Sequence, residues 1–511
     1  MAWHFNNRHL TPQLQSAFDP QAASVPGVPS LLPPIPNLCQ GLRTFNLEIV
    51  VGWMPLPVEA VAQNQSPNQR LWPVTTRVNR RGRLEIGGCD ALALATRFGT
   101  PLYVIDEATA LAAASAYVDT LAREYPGEGL VIYASKAWNM LALCALFHQA
   151  GVGMDVVSGG ELATALKAGV PPSRIYFHGN NKSAAELLAA IASGITLVVD
   201  NWLELNNLWR EFQAVQPFSP DMRPRILLRL TPGIECHTHE YIRTGHLDSK
   251  FGFDPQEVDA LFDWLVAHPQ LDVVGLHAHI GSQIFELQPH RELAGVLLDF
   301  YIRGQARGLV LRELNIGGGL GICYTAQDDP PSIEAWVTTV AHAVKKACDD
   351  AGLAYPKLIC EPGRSLIGPA GVTLYEIGAQ KTVPGIRTYV SVDGGMSDNP
   401  RPITYGASYT ALLANNPQAE ATTRVTVAGK HCESGDILLP DVLLPPLNAG
   451  DILAVAATGA YNASMASNYN RFGRPAAVLV GNGKAEVVMK RESVADLMRQ
   501  DRLPARLAAK K

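Results

Sequence analysis

The sequence predicts an α/β protein: a parallel (β/α)8 barrel, then an all-β domain of sandwich or barrel-like build, with an irregular extension in front. Three observations predict it. Short apolar runs alternate with helical stretches eight times between residues 130 and 361, the pattern of a parallel barrel. From about residue 373 helical periodicity stops and short Val/Thr-rich runs separated by turn residues take over, as in an all-β domain. Residues 1–70 hold ten of the 36 prolines and show no sustained period of 2 or 3.6.

Taken in order, residues 1–70 include Pro33-Pro34-Ile35-Pro36. Proline removes amide donors and blocks helix interiors, so an irregular arm is expected, dispensable for activity. Residues 71–105 carry a strand at Arg83-Leu84-Glu85-Ile86, a helix from Cys89 to Phe98 and a strand at Leu102-Tyr103-Val104-Ile105. These strands are expected to join the later β domain, which is then discontinuous in sequence. The barrel spans 106–372, with strands at 130–134, 153–157, 175–178, 196–199, 225–230, 273–279, 312–316 and 357–361. Helices are expected at 160–168, 183–192, 201–213, 256–267, 290–306 and 333–351. A doubly wound open sheet is the alternative, but eight units at this spacing favour closure. The β domain follows at 373–490, with strands such as 388–392, 423–427 and 452–455, and a tail at 491–511.

Composition narrows the function. With 47% apolar and 17% charged residues, 511 residues suit a soluble enzyme of two or three domains. A net charge of -5 offers no basic surface to nucleic acid or an anionic membrane. No apolar run approaches the roughly 18 residues of a membrane span. Eight cysteines without a CxxC pair read as reduced thiols, and Met1-Ala2-Trp3-His4 does not begin a secretory signal, so a cytoplasmic location is expected.

In a barrel enzyme the reacting groups sit at the C-terminal ends of the strands. Strand one ends in Tyr133-Ala134-Ser135-Lys136. Desolvation at a buried strand tip lowers a lysine's pKa, and the neutral amine can form a Schiff base with a carbonyl, including the aldehyde of pyridoxal phosphate. A solvated charge is the plainer reading of one such lysine. Strand two ends near Asp155 and Ser158-Gly159-Gly160-Glu161, strand three in His178-Gly179-Asn180-Asn181-Lys182, and strand five places Arg229 inside the barrel. In strand six, alternation turns His277 and His279 inward and Val274, Leu276, Ala278 and Ile280 outward. Strand seven ends in Asn315-Ile316-Gly317-Gly318-Gly319-Leu320-Gly321, where successive glycines let main-chain amides converge on a phosphate. A tight turn explains the glycines equally well, but the position late in the barrel favours phosphate.

Strand eight ends in Glu361-Pro362-Gly363-Arg364. A glutamate facing a pyridine nitrogen keeps it protonated and makes the ring an electron sink; an ion pair of Glu361 with Arg364 is the alternative. In the β domain Cys432-Glu433-Ser434-Gly435-Asp436 and Gly459-Ala460-Tyr461 stand out. By composition alone the cysteine reads as a small buried hydrophobe and the tyrosine as core. No metal site is expected.

These motifs, together with Asp393-Gly394-Gly395-Met396-Ser397-Asp398-Asn399-Pro400-Arg401-Pro402, resemble the diaminopimelate decarboxylase family of fold type III pyridoxal-phosphate enzymes, related to ornithine and arginine decarboxylases. The resemblance runs from about Leu71 to Val488 and rests on motifs in the right order rather than on any one. It implies an alanine-racemase-like fold, pyridoxal 5'-phosphate as cofactor and decarboxylation of meso-2,6-diaminopimelate to L-lysine, the last step of lysine biosynthesis. It further implies Lys136 as the Schiff-base lysine, His279 stacked on the cofactor ring and Glu361 at its nitrogen. Ser282, Gly317, Gly318, Gly319, Gly363 and Tyr461 are implied to hold the phosphate. Arg364, also counted with the cofactor site, Arg401, Tyr405, Glu433 and Tyr461 are implied to contact substrate. Cys432 is the implied acid, entering from the second subunit of a homodimer. Competing readings are a racemase on the same fold, a decarboxylase of ornithine, arginine or carboxynorspermidine, and a non-catalytic regulatory relative. Glu361 and Cys432 speak against the first, and the presence of both lysine and cysteine against the last.

Overall fold

A computed structural model describes residues 65–218, 221–234 and 249–508. The expected extension over residues 1–64 lies outside the described residues. A small antiparallel sheet comes first, β1 (Arg77–Val78), β2 (Leu84–Ile86) and β3 (Cys89–Asp90). Asp90 then caps the helix Ala91–Phe98, accepting the Leu92 and Ala93 amides. β4 (Leu102–Asp106) leads to the helix Glu107–Glu124 and the barrel.

Eight parallel strands close the barrel: β5 (Gly129–Ala134), β6 (Gly153–Val156), β7 (Ile175–Phe177), β8 (Thr196–Val199), β9 (Arg225–Arg229), β10 (Asp272–His277), β11 (Glu313–Asn315) and β12 (Lys357–Cys360). β12 pairs back onto β5 through Leu358 and Gly129. Intervening helices run where the apolar periodicity puts them, for example Trp202–Val215 and Ile333–Ala351. Their starts are fixed by side chains that accept orphan amides, Ser183 with Glu186 in a capping box, Asn201 and Ser332.

The barrel interior is layered. At the N-terminal end Glu313 accepts from Tyr176 Oη at 3.0 Å and from Arg225 Nη2 at 2.8 Å. Above lies an apolar layer of Leu130, Ile132, Tyr176, Val198, Leu227, Val274 and Ile359. Val274 thereby corrects the expected outward orientation. The β9–β10 register slips between Val273 and Gly275, and the extra residue resets the alternation. Val274 and His277 consequently both point inward, while Leu276 and Ala278 pack among the outer helices. Gly275 is required at the slip, because a Cβ there would lie 1.9 Å from the Glu313 carbonyl oxygen.

The β domain is built on β13 (Gly371–Val383), β14 (Arg387–Val392), β15 (Ala411–Leu413), β16 (Thr423–Ala428), β17 (Ile437–Leu444), β18 (Ile452–Val455), β19 (Ala476–Gly481) and β20 (Lys484–Met489). Its sheet runs β17-β16-β14-β13-β4-β19-β20, with β15 and β18 off this path. β4 therefore sits inside the sheet, antiparallel to β13 and parallel to β19. Of the early strands only β4 joins it. β1–β3 form their own sheet, although Leu84 and Ile86 share a core with Val104, Val372 and Val478.

The folded body also begins earlier than expected. Residues 66–70 include a short 3-10 turn, Pro67–Gln69, and Asn68 is fully buried. Proline at its first position removes an amide that would have no partner there.

Candidate active site

β5 runs into a single 3-10 turn, Ser135–Ala137, which lifts Lys136 out of the strand at the barrel mouth. The turn is braced by Glu161, whose carboxylate accepts from Ser135 Oγ at 3.3 Å and from the Val157 amide at 2.8 Å. Ser158 caps the following helix by accepting the Glu161 amide, so that motif supports the lysine rather than reacting. The Lys136 side chain is solvent-accessible within the mouth. Its pKa departs from the expectation. Burial acts to lower it, but the charges of Asp155, Tyr461 and Glu361 outweigh burial, and the amine is held above its usual value. Lys136 is therefore held as an ammonium by these neighbours.

Behind the lysine, Glu361 at the tip of β12 is buried and many-handed. Asn315 Nδ2 donates to its Oε1 at 2.7 Å, His178 Nε2 stands 2.8 Å from the same oxygen, and His277 Nε2 is 3.1 Å from Oε2. Burial alone would favour the neutral acid; His178 and His277 reverse this and hold the carboxyl well below its usual range. Burial pushes His277 down to about 4, so its ring stays neutral at pH 7. Asp155, 3.7 Å from His178 Nε2, is raised by burial and by the Glu361 charge. The predicted alternative, an ion pair of Glu361 with Arg364, does not form. Ligand atoms of His178, His277 and Glu361 lie within 4.8 Å of one another, a spacing a cation could use. Each histidine, however, addresses a different oxygen of the carboxylate rather than a common point.

His279, just beyond β10, accepts the Gly318 amide on Nδ1 at 3.2 Å. Burial, with Lys136 and Arg229 nearby, drives its pKa well down, so the neutral ring carries its proton on Nε2. Gly317 and Gly319 have φ of 65° and 123°, and a Cβ on Gly318 would lie 2.1 Å from the Glu361 carbonyl oxygen. The glycines thus let the loop after β11 lie flat against the end of β12. Arg364 ties the rest together: Nη2 and Nε donate to Ser282 Oγ at 2.9 and 3.2 Å, Nη1 to Tyr324 Oη at 2.5 Å, and the guanidinium lies 4.8 Å from the Tyr461 ring centroid. Tyr461 is not core as composition suggests. It is half-buried with φ 65°, and its amide donates to the Ala137 carbonyl beside Lys136.

Arg401 opens the short helix Arg401–Tyr405 and is buried. Its Nη1 donates to Tyr409 Oη at 2.7 Å, and it stacks 4.7 Å from the Tyr324 ring. Burial opposes its charge, but Tyr324 and Tyr409 more than compensate and raise its pKa. Among the described residues neither Arg364 nor Arg401 has a carboxylate partner. Tyr405 stands half-buried at the far end of the same helix. Cys432 and Glu433 are exposed on the β16–β17 loop, against the expectation of a buried hydrophobic cysteine. Their hydrogen bonds are local: the Cys432 amide donates to Asn470 Oδ1 at 2.9 Å, and Glu433 Oε1 accepts the Gly435 amide at 3.3 Å. The chain thus gathers Lys136, His279, Glu361, Ser282, the three glycines, Gly363, Arg364 and Tyr461 at one mouth, with Arg401 linked through Tyr324. Sequence reasoning missed Tyr324 and Tyr409, for which no motif spacing gave a signal.

This donor set fits pyridoxal phosphate. A buried ionised carboxylate, an amine, a flat neutral imidazole and a glycine-lined loop converge, and Asp155 Oδ1 and His277 Nδ1 are buried without a hydrogen-bond partner. A family model described as pyridoxal-dependent decarboxylase, pyridoxal binding domain, matches residues 112–368. Fold and site define the chain as a pyridoxal-dependent decarboxylase. The diaminopimelate decarboxylase of Synechocystis sp. is 57% identical over 467 residues, covering 89% of this chain and 98% of that protein. That of Bacillus subtilis is 45% identical over 445 residues, covering 85% and 99%. The solved structure of diaminopimelate decarboxylase from M. jannaschii in co-complex with L-lysine matches with a TM-score of 0.79 at 34% identity, covering 86% of this chain and 100% of that one. The chain belongs to the diaminopimelate decarboxylase family.

Proposed function

We propose that this chain decarboxylates meso-2,6-diaminopimelate to L-lysine and carbon dioxide with pyridoxal 5'-phosphate, as a cytoplasmic homodimer with shared active sites. The observation that carries the substrate is the pair of buried guanidiniums, Arg364 and Arg401, joined through Tyr324 and without a carboxylate partner among the described residues. A buried cation lacking a counter-charge is costly until an anionic ligand supplies one. The second carboxylate of diaminopimelate, absent from ornithine or lysine, answers that need, and the planar guanidinium suits it.

When bound, the cofactor supplies an electron sink for the bond broken at the substrate's α-carbon. Lys136 Nζ, at the barrel mouth, would be its covalent tether. Glu361, ionised among His178, His277 and Asn315, would favour a proton on the cofactor's ring nitrogen. His279 would lie against the ring, Ser282, Gly317, Gly318, Gly319, Gly363 and Tyr461 would hold the phosphate, and Arg364, Tyr405 and Tyr461 would orient the substrate. Arg401 binds the distal carboxylate. Cys432 of the partner subunit delivers a proton to the α-carbon, and Glu433 of the partner subunit binds the distal ammonium.

Mixing tests the shared site and the reaction together, with carbon dioxide release from meso-diaminopimelate as the readout. Lys136→Ala and Cys432→Ala proteins, each inactive alone, should regain about a quarter of wild-type activity after subunit exchange, since symmetry leaves one intact site in each mixed dimer. No recovery despite demonstrated exchange places both residues in one protomer's site.

A further inference from the structure

We propose that residues 66–70 are a strap that positions substrate recognition: Asn68 clamps the loop 320–324, and Tyr324 on that loop sets the spacing of Arg364 and Arg401. The proposal rests on the reading of those two arginines as binders of substrate anions. Asn68 is fully buried. Its Nδ2 donates to the carbonyls of Gly321 at 3.1 Å and Pro331 at 2.8 Å, and its own carbonyl accepts the Cys323 amide at 3.0 Å. These contacts join positions more than 250 residues apart in sequence. The turn is stitched further by Gln69 Nε2 to the Pro330 carbonyl and by Ser66 Oγ, which accepts the Ile333 amide at 3.2 Å. On its other side the same loop is held by Gln283, whose amide both donates to the Ile322 carbonyl at 2.8 Å and accepts the Ile322 amide at 3.2 Å.

Between these two clamps the loop carries Tyr324, and Thr410 Oγ1 fixes the Tyr324 carbonyl at 2.8 Å. The Tyr324 hydroxyl accepts from Arg364, and its ring underlies Arg401 at 4.7 Å. One side chain therefore touches both guanidiniums, and the position of its backbone depends on a segment that the proline-rich sequence suggested was dispensable. Asn68 is a positioning residue. It touches neither arginine and acts through Tyr324.

The test is steady-state kinetics of the holoenzyme on meso-diaminopimelate with Asn68→Ala, Asn68→Asp, Tyr324→Phe and Arg401→Met, alongside cofactor absorbance and Tm. Asn68→Ala and Tyr324→Phe should raise KM about tenfold with kcat within about twofold and unchanged cofactor occupancy, because they disturb binding of the substrate and not the tether. Asn68→Asp should be worse than Asn68→Ala, since it turns an anionic oxygen toward two carbonyls. Wild-type KM in both Asn68→Ala and Tyr324→Phe, with Arg401→Met impaired, overturns the strap and leaves the site reading standing. Losses confined to kcat and cofactor content, in step with falling Tm, also overturn it. An unimpaired Arg401→Met overturns the site reading instead. Should the Asn68 variants not fold, Tyr324→Phe, which keeps the ring and removes only the hydroxyl, decides.

Discussion

Lys136→Ala should abolish turnover and remove the visible-edge absorption of the lysine-bound cofactor, while the barrel remains folded. The side chain is solvent-accessible in the mouth and belongs to no packed layer, so its truncation leaves no cavity. Asp155 and Glu361 lose a nearby ammonium that favours their charged forms, which moves both carboxyls upward, but His178 still stands beside each of them. Melting temperature and circular dichroism should therefore match wild type, with cofactor bound at most non-covalently. Borohydride-reducible cofactor still linked to the Lys136→Ala protein would show that another amine is the tether.

Arg401→Met should give the second-largest loss, selective for the distal carboxylate. Arg401 is buried, Nη1 donates to Tyr409 Oη, and the guanidinium lies against the rings of Tyr324 and Tyr409. Among the described residues the charge is held by these tyrosines and by no carboxylate, which leaves it a partner for a ligand carboxylate. Methionine keeps much of the stem's volume and removes the fork. Loss of a truncated buried charge contact, roughly 2–5 kcal/mol, corresponds to a fall in kcat/KM of roughly thirtyfold to several thousandfold. The substitution also removes the hydrogen bond to Tyr409 Oη and the contact with the Tyr324 ring, so a modest fall in Tm should accompany the kinetic loss. A kcat/KM within twofold of wild type on meso-diaminopimelate would contradict this role.

Much of this site is legible in the sequence because barrel strands are short, parallel and closed. Their ends must converge, so residues as distant as Lys136, His279 and Glu361 are brought to one mouth by topology alone. Strand and helix positions follow from apolar periodicity, and the boundaries differ by a residue or two at capped ends such as Ser183 and Asn201. What escapes periodicity is local. The register slip at Gly275 turns Val274 inward against strict alternation, and nothing in a single strand's pattern marks where such a slip falls. The Lys136 pKa was misjudged because burial is visible in an apolar run, whereas the opposing charges of Asp155 and Glu361 come from other strands. Residues 66–70 look irregular because they form no repeating element; they are ordered by hydrogen bonds to a loop far along the chain. Tyr324 and Tyr409 carry no signature, since a tyrosine beneath an arginine is recognisable only once the fold brings them together.

The paired guanidiniums and Lys136 suit this chain to decarboxylate meso-diaminopimelate rather than a simpler basic amino acid. Product analysis of the purified, cofactor-loaded protein tests it most directly. Incubated with meso-diaminopimelate, it should release one L-lysine for each carbon dioxide, with kcat/KM at least about a hundredfold above that for ornithine, arginine or L-lysine, as expected when a site built for a polar group meets ligands lacking it. Comparable efficiency on ornithine, arginine or L-lysine, or carbon dioxide released from meso-diaminopimelate without stoichiometric L-lysine, would contradict the account.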